Sequence, residues 1–378
     1  FDRVIYHHAV ERRPYSILRQ DGTLDRQVSF MNLPPFQKDN FELAGYAQDR
    51  FTPTPRLLVE AGLRLDGDEI LRRALVSPRL AASYLLSAHG ETKIVAGVGR
   101  TYDRTNLQLI TSGLGGMRTD SFYDPAGTTL LFPPVESQFV VDDRALREPW
   151  FLNWSAGVER RLFPDTTVHL EFLQKVGHHE WAFENLPSAT PGALSGLFVL
   201  ENIRRDHYHA VTATVRQTLP HGHLIFASYT RSSARSTAVL PFSLDSPLFS
   251  QQAGGPLPWD TPNRVVTWGF LPLVRGFDLA YMSDWRDGFP FNILNQDQEL
   301  VRMPGSRRFP TFFTLNMALE KHVPAFGFLW SLRAGFDDIT GRHNPNAVDN
   351  NINSPTFLTY SSEMSRALTA QVRFLGRR

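Results

Sequence analysis

Read with period two, residues 57–66 divide cleanly. Leu57, Val59, Ala61, Leu63 and Leu65 fall on one side, and Leu58, Glu60, Gly62, Arg64 and Asp66 on the other. One side is wholly apolar and the other mostly polar, which is the pattern of a strand with a greasy face and a wet face. A helix would need apolar residues three and four apart, and Glu60 and Arg64 interrupt that stripe. The same alternation returns at 150–162, where Leu152, Trp154, Ala156 and Val158 oppose Asn153, Ser155, Gly157, Glu159 and Arg161. It returns again at Val168, Leu170 and Phe172, at Phe313, Leu315, Met317 and Leu319, and at Phe328, Trp330, Leu332, Ala334 and Phe336. Weaker segments lie near 42–52, 78–88, 92–104, 207–218, 222–233, 263–287 and 364–374. Each runs to roughly ten residues, the length a tilted strand needs to cross the hydrocarbon of a bilayer.

The connections sort by length. Tight links at "FTPT", "SAHGE", "FPDT", "LPHG", "LVRG" and "HVPAFG" are rich in Pro and Gly, as hairpin turns require. Long polar loops at 105–149, 177–205, 234–261, 288–310 and 340–362, with a shorter one near 67–77, alternate with them. Strict alternation sends every tight turn to one end and every long loop to the other, as in outer-membrane barrels with short periplasmic turns and long extracellular loops. A soluble sandwich has no reason to sort its loops this way, and no blade-like repeat is visible. No second layer is evident that could cover the apolar faces, so they meet lipid. The wet face, with Glu60, Arg64, Glu159, Arg161, His169, Glu171 and Arg333, then lines the lumen. On this reading Ala61 sits near mid-membrane, and the expected fold is all-β: an antiparallel transmembrane barrel of about 14 strands.

Composition excludes more than it selects. The 378 residues carry 39 Lys+Arg against 38 Asp+Glu, a formal charge of +1, so there is no basic field for nucleic acid. The absence of Cys removes disulfides and Cys-based zinc sites. No window approaches 18 consecutive apolar residues, so no membrane helix is expected. The opening "FDRVIYHHAV" is not a signal peptide, and the chain reads as a single barrel domain, 1–378, that is incomplete at its N-terminus.

Candidate chemistry is sparse. In "VGHHEW", His178 and His179 are adjacent and point to opposite faces of a strand, so with Glu180 they make a poor metal site. His207 and His209 share a side, but the tight turn places His221 and His223 at the far end of the hairpin. Gly97 and Gly99 precede no helix that could bind phosphate, and they are expected to relieve crowding on the lumen side or to allow a bend. No Ser/His/Asp order or nucleophile elbow appears. No catalytic, metal or cofactor residue is therefore expected, the protein reads as a non-enzyme, and its ligand-binding residues are unknown.

Longer stretches resemble a family. "YAQDRFTPTPRLLVEAGLRLD" followed by "SPRLAASYLLSAHGETKIVAGVGRTYDR" is similar to the barrel of TonB-dependent outer-membrane receptors, in the branch with a carboxypeptidase-regulatory-like N-terminal domain. "DHYHAVTATVRQTLPHGHLIFASYTRSSARS", "DTPNRVVTWGFLPL", "WRDGFPFNI", "RRFPTFFTLNMALEK" and "AGFDDITGRHNPNAV" continue the resemblance in order. It implies outer-membrane lipid, a TonB energy-transducing complex and a small-molecule, glycan or peptide ligand as partners. It also implies roughly 22 strands, of which this chain would hold the C-terminal part, without plug or signal peptide. The terminal strand "ALTAQVRF" would serve barrel assembly through Phe374, with residues 375–378 as a short tail. The competing class is a soluble secreted β-protein that binds or cleaves glycans, with Trp150, Trp259 and Trp285 as stacking platforms.

Overall fold

The computed structural model describes residues 1–87, 90–189, 193–363 and 366–377. Fourteen strands form one antiparallel path in which each is hydrogen-bonded to its neighbours in order. They are β1 (Asp2–His8), β2 (Phe36–Thr54), β3 (Leu57–Asp68), β4 (Ala74–Leu85), β5 (Thr92–Tyr102), β6 (Trp150–Phe163) and β7 (Thr166–His178). The path continues through β8 (Asp206–Thr218), β9 (Leu224–Ser236), β10 (Asn263–Pro272), β11 (Phe277–Arg286), β12 (Phe312–Ala325), β13 (Phe328–Asp337) and β14 (Ala367–Arg377). Among the described residues β1 and β14 are not paired with each other, so the path has two free edges. β1 had no counterpart in the sequence reading. Part of the "SAHGE" turn and Arg378 lie outside the described residues.

The register makes the two-faced pattern continuous across the sheet. Leu57, Tyr84, Ile94, Val158, Leu170, Ala213, Tyr229, Val265, Trp285 and Phe313 are successive cross-strand partners from β3 to β12. Every position in that row is apolar or aromatic, yet Tyr84, Ile94, Leu170 and Tyr229 are each more than 40% exposed. A row of this length left in contact with the surroundings suits hydrocarbon and not water.

The opposite face holds the expected charges, mostly paired across or along strands. Arg50 meets Glu60 at 2.7 Å, Lys93 meets Glu159 at 3.0 Å, and Arg64 meets Asp66 at 2.8 Å. Gly62 and Gly99 flank Arg79, and a Cβ on Gly62 would sit 2.7 Å from the Arg79 Nε. The glycines therefore let a guanidinium lie flat over two strands and reach the Gln48 side chain. The wet face is not polar throughout. Phe226 stacks on Trp268 at 5.1 Å, and Met282 is the cross-strand partner of Trp268 on the same face.

Three tight turns have two consecutive residues with positive φ: His221–Gly222, Arg275–Gly276 and Phe326–Gly327. This is the type I′ arrangement, which matches the right-handed twist of adjoining strands and accounts for the Gly in each. β14 departs from the expected ending. It continues through a bulge after Phe374, and Gly376 and Arg377 pair with Leu329 and Phe328, so residues 375–377 belong to the ladder and are not a tail. Phe374 packs edge-on against Phe328 and Trp330.

The sorted connections give a topological test. A single Cys at Ser246, exposed in a long loop, is expected to react with an impermeant thiol reagent on intact cells, whereas one at Asp165 in the β6–β7 turn is not. Labelling at Asp165 alone would invert the molecule in its membrane.

Candidate functional site: the folded extracellular cap

The long connections are not independent loops. Strands Tyr15–Leu18 and Leu24–Met31, from the segment between β1 and β2, join Met117–Phe122, Val135–Val140, Gly196–Arg204 and Glu180–Asn185 in a six-stranded sheet. This second sheet was not foreseen. It is built at the long-loop end, so it leaves the apolar rows of the barrel uncovered. A short helix, Leu107–Ile110, is capped by the Asn106 side chain. Gly196 permits the parallel crossing of two of these strands, since a Cβ there would lie 2.4 Å from the Glu136 carbonyl oxygen.

Two apolar clusters hold the cap together. Leu71, Ile110, Leu146, Trp181, Phe183, Phe198 and Leu200 form one, and Phe122, Val135 and Phe249 the other. Between loops the bonding is ionic. Arg118 grips Asp120 through two hydrogen bonds of 2.8 and 2.7 Å, and both side chains are essentially buried. Arg118 also donates to the Leu244 and Asp245 carbonyl oxygens at 3.1 and 2.8 Å, which pins the loop between β9 and β10. Arg12 pairs with Asp245 at 2.7 Å. Arg26 lies 3.7 Å from Asp120 and donates to the Gln298 side chain and the Gln296 carbonyl, tying in the loop between β11 and β12.

At the long-loop end of the strands lies a cavity of about 530 Å³ beside the ends of β1–β5. Five carboxylates line it, from Asp2, Glu42, Asp66, Asp68 and Asp103, against two cations, Arg64 and Arg104. Arg104 bridges Asp2 at 3.5 Å and Glu42 at 3.7 Å. The excess of negative charge attracts a cationic solute and repels an anionic one. A second cavity of about 300 Å³ lies within the cap between Arg12, Thr111, Phe139 and Phe242.

At the junction of cap and barrel, burial and then the neighbouring Asp206 push the Glu180 carboxyl up to about 8. Arg204 bonds Asp206 at 2.8 Å and stands 4.0 Å from Glu180. Burial also raises Asp103 and Glu148. Because Glu180 ordinarily titrates near 4.5, the folded junction is fully stable below that pH and loses stability as pH rises toward about 8. Hydrogen exchange across Glu180–Asn185, corrected for its intrinsic pH dependence, is expected to speed up between about pH 5 and about pH 8. Glu180→Gln is expected to abolish that rise, and an unchanged pH profile would show that Glu180 does not titrate there.

The residues singled out in the sequence separate in space. His178 ends β7 and stacks on Trp150 at 4.1 Å, His179 has positive φ just beyond the strand, and Glu180 turns into the cap. His223 sits at the tight-turn end, bonded to Asp278 at 2.8 Å, far along the hairpin from His207 and His209. Among the described residues no group of three or more His, Asp or Glu could hold a metal. Trp285 belongs to the apolar outer row and Trp150 packs with Arg100 and His178, so neither is a platform facing the cap; Trp259 is exposed in a loop. Arg26, Arg118 and Asp120 went unnoticed in the sequence. Their only local signal is the spacing of two between Arg118 and Asp120, which puts them on one face of a strand.

A family model for an outer membrane beta barrel domain matches residues 72–307, more than half of the chain. The chain belongs to that family. It is an outer-membrane β-barrel protein, so the reading as a soluble secreted protein falls. No curated protein matches the sequence. Among solved structures, a mutant of the ferric enterobactin receptor of Pseudomonas aeruginosa superposes with a TM-score of 0.65 at 12% identity, covering 98% of this chain and 53% of that one. The outer membrane transporter YddB from Escherichia coli gives 0.62 at 12%, covering 95% and 48%. The siderophore receptor PirA from Acinetobacter baumannii gives 0.62 at 13%, covering 89% and 46%. At such identity the likeness concerns the fold, and the chain spans about half the length of these receptors.

Proposed function

We propose that this outer-membrane barrel works as the C-terminal part of a TonB-dependent receptor, of the branch with a carboxypeptidase-regulatory-like N-terminal domain. It captures a solute under its cap and passes it inward through energised movement of a plug. The observation that carries the reading is the tied cap at the long-loop end, on a strand path that superposes on about half of an outer membrane transporter and two iron-chelate receptors. The aromatic patch of Phe226 and Trp268, with Met282, supports a plug, because Trp268 and Met282 are 38% and 47% exposed in the lumen and would be covered by a packed protein segment.

The acid-rich cavity favours a neutral or cationic solute. Cells producing the complete receptor are offered radio-iron as a neutral hydroxamate chelate and as an anionic catecholate chelate. The expected result is uptake of the neutral chelate that disappears in a strain lacking TonB. Uptake that persists without TonB overturns the energised mechanism, and preference for the anionic chelate overturns the reading of the cavity.

A further inference from the structure

Behind the acid-rich cavity at the ends of β1–β5 stand two buried carboxyls, those of Glu148 and Glu180, each 5% exposed. Each has one oxygen, Oε1 of Glu148 and Oε2 of Glu180, without a hydrogen-bond partner among the described residues. The ladders bring both close to the cavity wall. Tyr102 at the end of β5 is the partner of Trp150 on β6, and Trp150 is the partner of His178 at the end of β7. Asp103 of the wall therefore follows β5, Glu148 precedes β6 by two residues and Glu180 follows β7 by two, while Asp206 opens β8 alongside. The Asp103 backbone N–H also donates to the Pro149 carbonyl at 3.1 Å, next to Glu148.

The wall leaves two carboxylates for a guest. Arg64 pairs with Asp66, and Arg104 bridges Asp2 and Glu42. Among the described residues neither Asp68 nor Asp103, the other two acids of the wall, makes an ion pair, and the donors to Asp68 are the neutral Leu71 N–H at 2.7 Å and the Thr105 hydroxyl. Each of these two acids belongs with a buried one. The Asp68 charge acts on Glu148, as does that of Arg73. Asp103 and Glu180 both feel Arg204 and Asp206, which are bonded to each other at 2.8 Å, and Arg204 stands 4.0 Å from Glu180. Burial, and then the neighbouring carboxylates, make both buried acids hold their protons, Glu180 up to about 8.

We propose that an organic cation seated by Asp68 and Asp103 displaces protons from Glu148 and Glu180, so that the cavity holds its guest more tightly as the medium becomes less acid. This rests on the reading of the cavity as a site for a cationic solute, and adds the solute's class and the regulation of its binding. The class is an ammonium or guanidinium group, since among the described residues no group of three or more His, Asp or Glu could hold a metal ion. A positive charge beside Asp68 and Asp103 stabilises the ionised form of the carboxyls behind them, and by linkage the loss of those protons favours the cation equally. In the empty site Glu180 keeps its proton up to about pH 8, and in the filled site it loses it at lower pH. Affinity therefore climbs with pH below about 8 and levels off above it.

The test uses the complete receptor in a maltoside detergent and radiolabelled choline, whose charge does not titrate, with binding measured by equilibrium dialysis at about pH 6 and about pH 9. Affinity is expected to be at least about fivefold higher at the upper pH, the low end of the usual coupling between two sites. The neutral isostere 3,3-dimethylbutan-1-ol is expected not to displace choline. Glu148→Gln/Glu180→Gln keeps the shape of the protonated side chains and is expected to flatten the pH dependence, whereas Glu159→Gln, toward the tight-turn end of β6, is expected to keep the parent's rise. Heat-modifiable gel migration reports folding. Choline added to the unbuffered parent near pH 7, which needs no variant, is expected to release protons. The inference is overturned if the parent binds choline equally at both pH values, if no proton is released, if the double variant keeps the rise or if the control loses it. Absence of choline binding at either pH, or its displacement by the neutral alcohol, overturns instead the reading of the cavity on which the inference rests.

Discussion

Ala156→Arg is expected to destabilise the folded barrel by about 2 to 4 kcal/mol, and Ser155→Arg by no more than about 1 kcal/mol. Ala156 lies on the outer face of β6 with Ala96 and Phe172 as cross-strand partners, and the rows on either side carry Trp154 and Val158. The nearest polar group of that face is the neutral Gln174 side chain, which accepts from the Trp154 indole nitrogen at 2.7 Å, so a guanidinium there meets no carboxylate partner of the kind Ala61 has and faces hydrocarbon. Ser155 points the other way, between Gly97 and Leu173, into space that Glu60 and Arg79 also border. The measurement is equilibrium urea unfolding of both variants from lipid vesicles. Equal losses would mean that the two faces of β6 are not lipid and lumen. Ala61, the position the sequence pattern suggested, is a poorer probe. Its partner across the ladder is Asp49, a carboxylate on the same outer face that would pair with an introduced arginine and reduce the penalty.

The second large effect is expected in the cap. Arg118→Met leaves Asp120, fully buried, without its bidentate partner and frees the Leu244 and Asp245 carbonyls. Breaking a buried pair from one side costs about 3 to 5 kcal/mol, because the remaining charge stays desolvated. Arg26 at 3.7 Å offsets part of this, which places the expected loss at the lower end. The loss is local: exchange should accelerate in Met117–Phe122 and in the loop between β9 and β10, while β6–β9 keep their protection. Arg118→Met/Asp120→Leu, which removes both charges, is expected to recover much of the stability. A single variant as well protected as the parent would show that the apolar clusters alone hold the cap.

The strands themselves were legible in the chain because alternation is a local property. Leu57 to Leu65 or Leu152 to Val158 declare their two faces without reference to any partner, and one apolar face shared by every strand already calls for lipid. Sorting of tight turns and long loops followed from Gly and Pro positions in the same local way, as the paired positive φ values at His221–Gly222 and Arg275–Gly276 confirm. β1 was not legible, since "DRVIYHH" shows no clean split and is a strand because Phe36–Glu42 offers it a ladder. The end of β14 was misread for the same reason: only pairing with Leu329 and Phe328 carries it past Phe374.

The cap lay beyond local reading altogether. Arg26 meets Gln298 and Arg118 meets Leu244 across more than a hundred residues of chain, and nothing near either arginine marks it as buried. Arg100, Arg231 and Arg235 on the outer wall are of the same kind. Their positions on the wall follow from alternation, but their assembly in one sector depends on the register of five strands. Period-two patterning therefore determines which face of each strand meets lipid, because it depends on the direction of a side chain from its own backbone. What stands beside that side chain is decided by pairing between distant segments, and only the tertiary structure holds that information.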